Sequence, residues 1–142
     1  MDLVNPPIWE YNWIWNLDIM PKLKIFLSQI CHASLPTRGT LAQRGMNIDS
    51  HCPFCESEID NTNHLFLGCN VSQDCWGLAV SHNWLNTNLP FNPQLSLLQM
   101  LNGARAADSI VKMDRLVALL WSIWKARITW CFIMKNPIQE QH

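Results

Sequence analysis

Three cysteines and one histidine, Cys52, Cys55, His64 and Cys69, follow one another with the spacing C-x2-C-x8-H-x4-C. Three thiolates and one imidazole make a complete tetrahedral set of ligands for Zn²⁺, which prefers sulfur and nitrogen donors. Four protein ligands leave no coordination position for water or a substrate. The pattern therefore predicts a structural Cys3His zinc site and no catalytic residues around it.

The segments around these residues indicate how the ligands would be presented. Residues 52–55 suit a tight turn that points both cysteine sulfurs at one ion. We expect a short helix that starts near Asn63, with Thr62 as its N-cap, to present His64 and Cys69 on one face.

Two other interpretations of the cysteines remain open. The six cysteines of the chain could be buried free thiols, since Cys behaves as a small hydrophobic residue, or they could form disulfides. The sequence begins without a basic segment followed by an apolar one, so we expect an intracellular protein of the nucleus or cytoplasm rather than a secreted one. In a reducing compartment a cluster of Cys and His favours a metal.

Other residues with chemical potential have simpler interpretations. His51 and Cys75 are alternative ligands, but His51 lacks reach without distorting the 52–55 turn, and Cys75 fits a packed amphipathic turn. Cys31 and His32 are sequence neighbours whose side chains point about 100° apart on a helix, so they make a poor nucleophile and base pair.

The composition predicts one packed domain. Hydrophobic residues make up 49% of the 142 residues and charged residues only 15%, which argues against a disordered chain. No apolar run approaches the ~18 residues that a membrane span needs. A glycine-rich phosphate loop is also missing, and we expect neither a membrane nor a small-molecule substrate as a partner.

Charge is distributed unevenly along the chain. An early basic segment is followed by an acidic metal loop, whose residues Asp49, Glu56, Glu58 and Asp60 we interpret as solvated. A second basic segment runs through the C-terminal part. The early basic residues are candidate contacts to nucleic-acid phosphates, with ordinary solvated helix faces as the alternative. These candidates are Lys22, Lys24, Arg38 and Arg44.

Hydrophobic spacing predicts a mostly α-helical fold. A helix should begin at Pro21 and stop before Pro36, and a second should follow with Thr37 or Thr40 as its cap and Gly45 at its end. Ser72 is a candidate cap for a later helix.

The two ends of the chain have patterns of their own. The longest helix should run from Asp108 to about Met134, and its Trp121 and Trp124 are interpreted as core residues rather than base-stacking ones. The alternating aromatic residues from Trp9 to Trp15 fit a short extended segment or an arm that packs on a neighbour.

Several ordered motifs together resemble a known family. The chain is similar to the zinc-binding domain that follows the reverse transcriptase in plant-type non-LTR retrotransposons, in proteins often labelled as ribonuclease H proteins. Ser28 and Gln29 stand where that family usually has Trp-Arg, and Ile128 stands where it usually has Asn. The matching motifs are Ile14-Trp15, Pro21-Lys22-Leu23-Lys24-Ile25-Phe26-Leu27, Leu35-Pro36-Thr37-Arg38, Leu41, Arg44-Gly45, Cys52-Pro53-Phe54-Cys55, His64-Leu65-Phe66, Cys69 and Trp76.

The resemblance implies an organisation and a function. It implies a zinc-binding domain over residues 9–80, a connection over 81–107, and a long helix over 108–135 that resembles the linker towards a ribonuclease H domain. It implies a structural zinc module that assists binding of RNA or DNA, with a reverse transcriptase or ribonuclease H domain as a further partner. The alternatives are a zinc-stabilised protein-interaction module and a non-functional retroelement fragment.

We expect no enzymatic activity from this chain. The paired aspartates of a polymerase and the spaced carboxylates that a ribonuclease H needs for two metal ions are both missing from the sequence.

Overall fold

A computed structural model of the protein describes residues 11–85, 96–106 and 112–135. Within these residues the chain is mostly helical, and a cluster of Cys and His side chains lies in the loop between the third and fourth α-helices, as predicted. Trp9 and the predicted helix start at Asp108 lie outside the described residues. The helices are α1 (Asn12–Trp15), α2 (Pro21–Cys31), α3 (Arg38–Gln43), a π-helix named π1 (His64–Gly68), α4 (Asn70–Ser81), α5 (Leu97–Ala106) and α6 (Met113–Lys135).

Helix α2 forms where its apolar spacing predicts it. Pro21 occupies the first turn, where the missing N–H of proline has no helical acceptor to lose. The face that carries Phe26, Leu27 and Ile30 is buried in the core. The helix ends at Cys31, before Pro36, which confirms the predicted stop.

Helix α3 has the predicted start and end. The Thr37 hydroxyl oxygen accepts a hydrogen bond from the backbone N–H of Thr40 at 3.2 Å, so Thr37 is the N-cap. Gly45 follows the helix with a φ of 96°, a left-handed conformation that glycine adopts without strain.

The prediction of an extended N-terminal aromatic segment is wrong over α1. The helical turn points Ile14 into the core, where it is fully buried, and leaves Trp15 exposed. Trp13 packs against the core, and the guanidinium of Arg105 lies 4.9 Å from its ring centroid. Burial of Ile14 therefore outweighs the alternating aromatic pattern.

Helix α6 supplies one wall of the core. Its buried face carries Leu116, Val117 and Leu120 and packs against α2 and π1. Trp124 is buried, and Trp121 packs edge-on against Phe26 with the ring centroids 5.1 Å apart. The interpretation of these two tryptophans as packing residues is confirmed.

In the part of the chain that the structure describes, no helix combines the length and the apolar composition that crossing a membrane requires.

Candidate metal centre

A short hairpin carries the first two predicted ligands. His51 and Ile59 form an isolated antiparallel bridge, and the backbone N–H of Cys52 donates to the carbonyl of Glu58 at 2.8 Å. These bonds hold the two arms of the loop side by side. The turn between the arms therefore projects as one unit.

The predicted tight turn at residues 52–55 is present. The backbone N–H of Glu56 donates to the carbonyl of Cys52 at 2.8 Å, and Glu56 adopts a φ of 60°. This closure turns the chain directly after Cys55. The Cys52 side chain is fully buried at the turn, whereas that of Cys55 is half-buried.

The other two ligands are presented by a π-helix rather than by one α-helix. The Asn61 side chain, not Thr62, accepts a hydrogen bond from the backbone N–H of His64 at 2.9 Å where π1 begins. Cys69 follows π1 in an extended conformation and is the N-cap of α4, a place that was predicted for Ser72. The prediction of a single helix for His64 and Cys69 is therefore wrong.

The wider turn has a geometric reason. Residues five apart on an α-helix point about 140° away from each other, since each residue turns the chain by about 100°. In π1 the backbone N–H of Cys69 donates to the carbonyl of His64 at 2.8 Å, an i to i+5 hydrogen bond. The π-turn accommodates the extra residue and lets both side chains reach the same point.

The structure brings three of the four predicted ligands together. The ligand atoms of Cys52, His64 and Cys69 all lie within 4.8 Å of one another. The Sγ atoms of Cys52 and Cys69 are 3.9 Å apart. Cys55 is not a member of that group of three, but its Sγ lies 3.3 Å from Nε2 of His64.

Two of these distances are close to those expected around a tetrahedral zinc ion. With Zn–S bonds of about 2.3 Å and Zn–N bonds of about 2.0–2.1 Å, the edges of the tetrahedron are about 3.8 Å between two sulfurs and about 3.6 Å between sulfur and nitrogen. The two close pairs, at 3.9 and 3.3 Å, resemble those edges. The donor set is also the soft one that zinc prefers. Assignment of all four residues as ligands remains a prediction.

The surroundings change the acidity of the candidate ligands. Burial raises the pKa of Cys52 to about 11, against the opposing effects of the backbone N–H groups of Cys55 and Phe54. Burial also raises the pKa of Cys55, but hydrogen bonds from Ser57, Glu58 and Cys52 together outweigh it and hold that pKa below its ordinary value. Because a zinc ligand must be a thiolate, metal binding has to release the Cys52 proton.

The surroundings of His64 favour its neutral, metal-binding form. Burial, followed by the positive charge of Arg127, lowers the pKa of His64. The neutral imidazole is the form that coordinates zinc. The lowered pKa of His64 therefore favours the form that can bind a metal.

The alternative ligands point elsewhere. His51 lies outside the metal-capable group, and its Nδ1 is 2.8 Å from the Asp49 carboxylate. Cys75 also lies outside the group and packs against the core. The structure thus places neither residue with the three clustered ligands.

Cys31 and His32 do not form a nucleophile and base pair. Burial raises the pKa of Cys31 to about 12, so its thiol stays protonated. Nδ1 of His32 lies 2.8 Å from the carbonyl oxygen of Ser28, one turn earlier on α2.

The four candidate nucleic-acid residues lie on α2, on α3 and directly after α3. The Lys24 ammonium donates to the carbonyl of Trp15 at 2.9 Å, and the Arg38 guanidinium donates to the carbonyl of Asp49 at 3.1 Å. Lys22 lies 5.7 Å from the ring centroid of Trp121, and Arg44 is exposed at the end of α3.

The burial of Asp60 is a feature that the sequence did not predict. We interpreted it as a solvated loop residue, but it is only 2% exposed. Its carboxylate pairs with the buried guanidinium of Arg127 and accepts a hydrogen bond from the backbone N–H of Arg38 at 3.0 Å. The other acidic residues of the loop, Asp49, Glu56 and Glu58, are exposed as expected.

Comparison with known proteins adds one match. A family model described as zinc-binding in reverse transcriptase matches residues 4–76, just over half of the chain. No curated protein and no solved structure matches the chain.

Proposed function

The chain belongs to the family of zinc-binding domains in reverse transcriptases, and from this membership we propose that it is the structural zinc module of a non-LTR retrotransposon polyprotein. In this proposal Cys52, Cys55, His64 and Cys69 hold one zinc ion. The folded module assists the binding of template RNA or DNA, and it performs no reaction itself.

The zinc proposal rests on one observation: candidate ligands from two separate segments of the chain lie close together. Cys52 and Cys55 belong to the hairpin turn, whereas His64 and Cys69 bracket π1. A bound zinc ion would join the hairpin to the helical body. Structural zinc ions contribute about 10–16 kcal/mol in small finger peptides, as much as the whole stability of a typical domain. The metal would therefore decide whether this part of the chain folds.

Metal analysis of the purified protein tests this first part. We expect one zinc ion per chain, lost in Cys52→Ser and in Cys69→Ser, with a fall in helical circular dichroism on chelation. Cys75→Ser is the matched control, since its thiol lies outside the cluster, and it should retain the zinc. A well-folded protein without zinc would overturn the proposal.

Basic residues on α2 and directly after α3 support the nucleic-acid part. Lys22 and Arg44 are exposed. The ammonium of Lys24 would have to give up its hydrogen bond to the carbonyl of Trp15 in order to contact a phosphate. Such contacts are independent of base sequence, because they recognise the phosphate backbone. The module would then add affinity rather than specificity to a reverse transcriptase.

A salt titration of binding to single-stranded RNA and DNA tests the second part. Affinity should fall steeply with salt, and the Lys22→Gln plus Lys24→Gln variant should have a salt slope smaller by about 1 for each lost phosphate contact. Lys112 is an exposed lysine outside the residues that the family model matches. Its variant Lys112→Gln is the control and should bind nucleic acid nearly as the unaltered protein does. Salt-independent binding, or equal binding by all three proteins, would contradict the nucleic-acid proposal and favour a protein-interaction module.

A further inference from the structure

Arg127 lies on α6, far beyond the residues that the family model matches, yet it reaches the metal loop. The residue is 3% exposed, and its Nη1 donates to the carboxylate of Asp60. Among the described residues, its buried Nε has no hydrogen-bond partner. A buried arginine with an incomplete set of hydrogen bonds is costly. A specific role in the loop would explain why it is placed there.

Arg127 contacts the turn that carries the first two ligands. Its guanidinium lies 4.7 Å from the ring centroid of Phe54, which stands between Cys52 and Cys55. On the same helix, the ring of Trp130 packs edge-on against Phe54 at 5.1 Å. Cation–π and aromatic contacts of this kind orient the Phe54 ring. They therefore also restrain the backbone of the turn that carries Phe54.

Through Asp60, Arg127 also holds the segment that leads to the third ligand. Asp60 precedes His64 by four residues and directly precedes Asn61, whose side chain starts π1. The backbone N–H of Asp60 donates to the carbonyl of Ser50 at 2.8 Å, so this residue also ties the two arms of the hairpin together. One guanidinium thus contacts both halves of the ligand loop.

We propose that Arg127 is a positioning residue of the metal centre, which holds the 52–55 turn through Phe54 and the approach to His64 through Asp60. The inference rests on the proposed zinc site. It means that the metal centre is completed by α6, so that the residues matched by the family model are not sufficient for full metal affinity.

The shape of arginine explains why another cation would not serve. The planar guanidinium can donate to a carboxylate from its edge while its face or rim contacts an aromatic ring. The ammonium of lysine is a compact charge that would satisfy the carboxylate without covering Phe54 in the same way. Arg127→Lys should therefore preserve the ion pair and weaken the contact with the turn.

Cobalt titration of the full chain, followed by competition with zinc, measures the metal affinity and the ligand geometry together. Arg127→Met should weaken zinc binding by about 10–100-fold, the usual effect of removing a group that orients metal ligands. Arg127→Lys should show a smaller loss. Because Arg127→Met leaves a buried carboxylate unpaired, adding Asp60→Asn should restore part of the affinity.

Arg115→Met is the matched control on the same helix. Arg115 has comparable contacts, with its guanidinium 5.1 Å from the ring centroid of Trp84 and bonded to the carbonyl of Trp84 at 3.1 Å, but it contacts a segment outside the metal loop. Its loss should lower thermal stability while leaving the zinc affinity and the cobalt absorption spectrum unchanged.

The outcomes separate the two proposals. If the unaltered protein binds neither cobalt nor zinc, the proposed zinc site itself is wrong. If it binds metal and the Arg127 variants bind equally well, or no worse than Arg115→Met, the role of Arg127 is overturned. If Arg127→Met does not fold, the Arg127→Lys variant decides, and a spectrum and affinity equal to those of the unaltered protein would contradict the inference.

Discussion

The backbone N–H of Cys69 donates a hydrogen bond to the carbonyl oxygen of His64, at 2.8 Å, across a turn one residue wider than an α-helical turn. This bond fixes the separation of the two candidate ligands through the main chain. The π-turn therefore places the backbones of His64 and Cys69 so that their side chains can converge. Single-turn π segments of this kind are frequent at functional sites.

Gly68→Ala should weaken metal binding. A Cβ atom at this position would lie 3.2 Å from Nδ1 of His64, so the imidazole would have to shift by a few tenths of an ångström. We expect a several-fold lower zinc affinity in a chelator competition. Gly77→Ala is the control, because a Cβ there meets nothing within 4 Å on α4; it should bind zinc normally and gain up to about 1 kcal/mol of stability. Equal zinc affinities for the two variants would contradict the prediction.

Gly39→Ala should destabilise the contact between α3 and the metal loop. A Cβ atom there would lie 2.8 Å from the carbonyl oxygen of Asp60, which accepts a hydrogen bond from the Gly39 N–H at the same distance. Forcing these backbones apart should lower the free energy of unfolding by about 1–3 kcal/mol. Urea denaturation measures the loss, and Gly103→Ala, where a Cβ meets nothing within 4 Å, should show none.

Cys31 should resist alkylation in the folded protein. Burial raises its pKa to about 12, so at pH 8 only about one thiol in ten thousand is a thiolate, compared with about one in ten for an ordinary cysteine. Peptide mass spectrometry after a short iodoacetamide treatment should find Cys31 unmodified until denaturant is added. Rapid labelling of Cys31 in the native protein would contradict this prediction.

The same thiol should make the fold sensitive to alkali. The pKa of Cys31 rises from 9.0 to about 12 on folding, so above pH 9 the unfolded chain binds fewer protons than the folded one. Its contribution to stability is therefore complete below pH 9 and is lost as the pH rises from 9 to 12. Cys31→Ala should reduce the slope of unfolding free energy against pH in this window by up to about 1.4 kcal/mol per pH unit. Parallel curves for the two proteins would refute this.

Trp76→Phe should cost more stability than its change in size suggests. The indole N–H of Trp76 donates to the buried carbonyl of Phe66 at 2.8 Å, and phenylalanine would leave that carbonyl without this donor. We expect a loss of about 1–3 kcal/mol in thermal or urea unfolding. Trp84→Phe removes a similar bond, to the carbonyl of Arg115, at an exposed position where water can replace it. It should therefore lose less, and a larger loss for Trp84→Phe would reverse the expectation.

Local rules in the sequence were enough to predict the parts of the fold that depend on neighbouring residues. Pro21 and the apolar spacing after it define α2, and the hydroxyl of Thr37 caps α3. The ligand spacing also predicted a cluster of Cys and His, and three of its four residues, Cys52, His64 and Cys69, do meet. In each case the physical cause acts over a few residues or a single short loop.

The parts that were predicted wrongly depend on distant residues or on a rare turn. Asp60 is buried because Arg127, at a sequence separation of 67, supplies its counter-charge, and no pattern around Asp60 reveals this. The prediction treated the five residues from His64 to Cys69 as part of an ordinary helix, so it missed the π-turn. The turn at Asn12–Trp15 is helical because it buries Ile14, which depends on the tertiary core.

The sequence separation of 67 between Asp60 and Arg127 also sets an order of events during synthesis. At about 5–20 residues per second, a ribosome adds Arg127 about 3–13 s after Asp60. Once Cys69 has been added, all four candidate ligands exist in the nascent chain, while Asp60 still lacks its partner Arg127. A metal ion bound before α6 docks would be held by a loop that lacks its contacts with Arg127, and it would exchange more readily. Docking of α6 would then add the remaining affinity, about 10–100-fold if Arg127 acts as proposed.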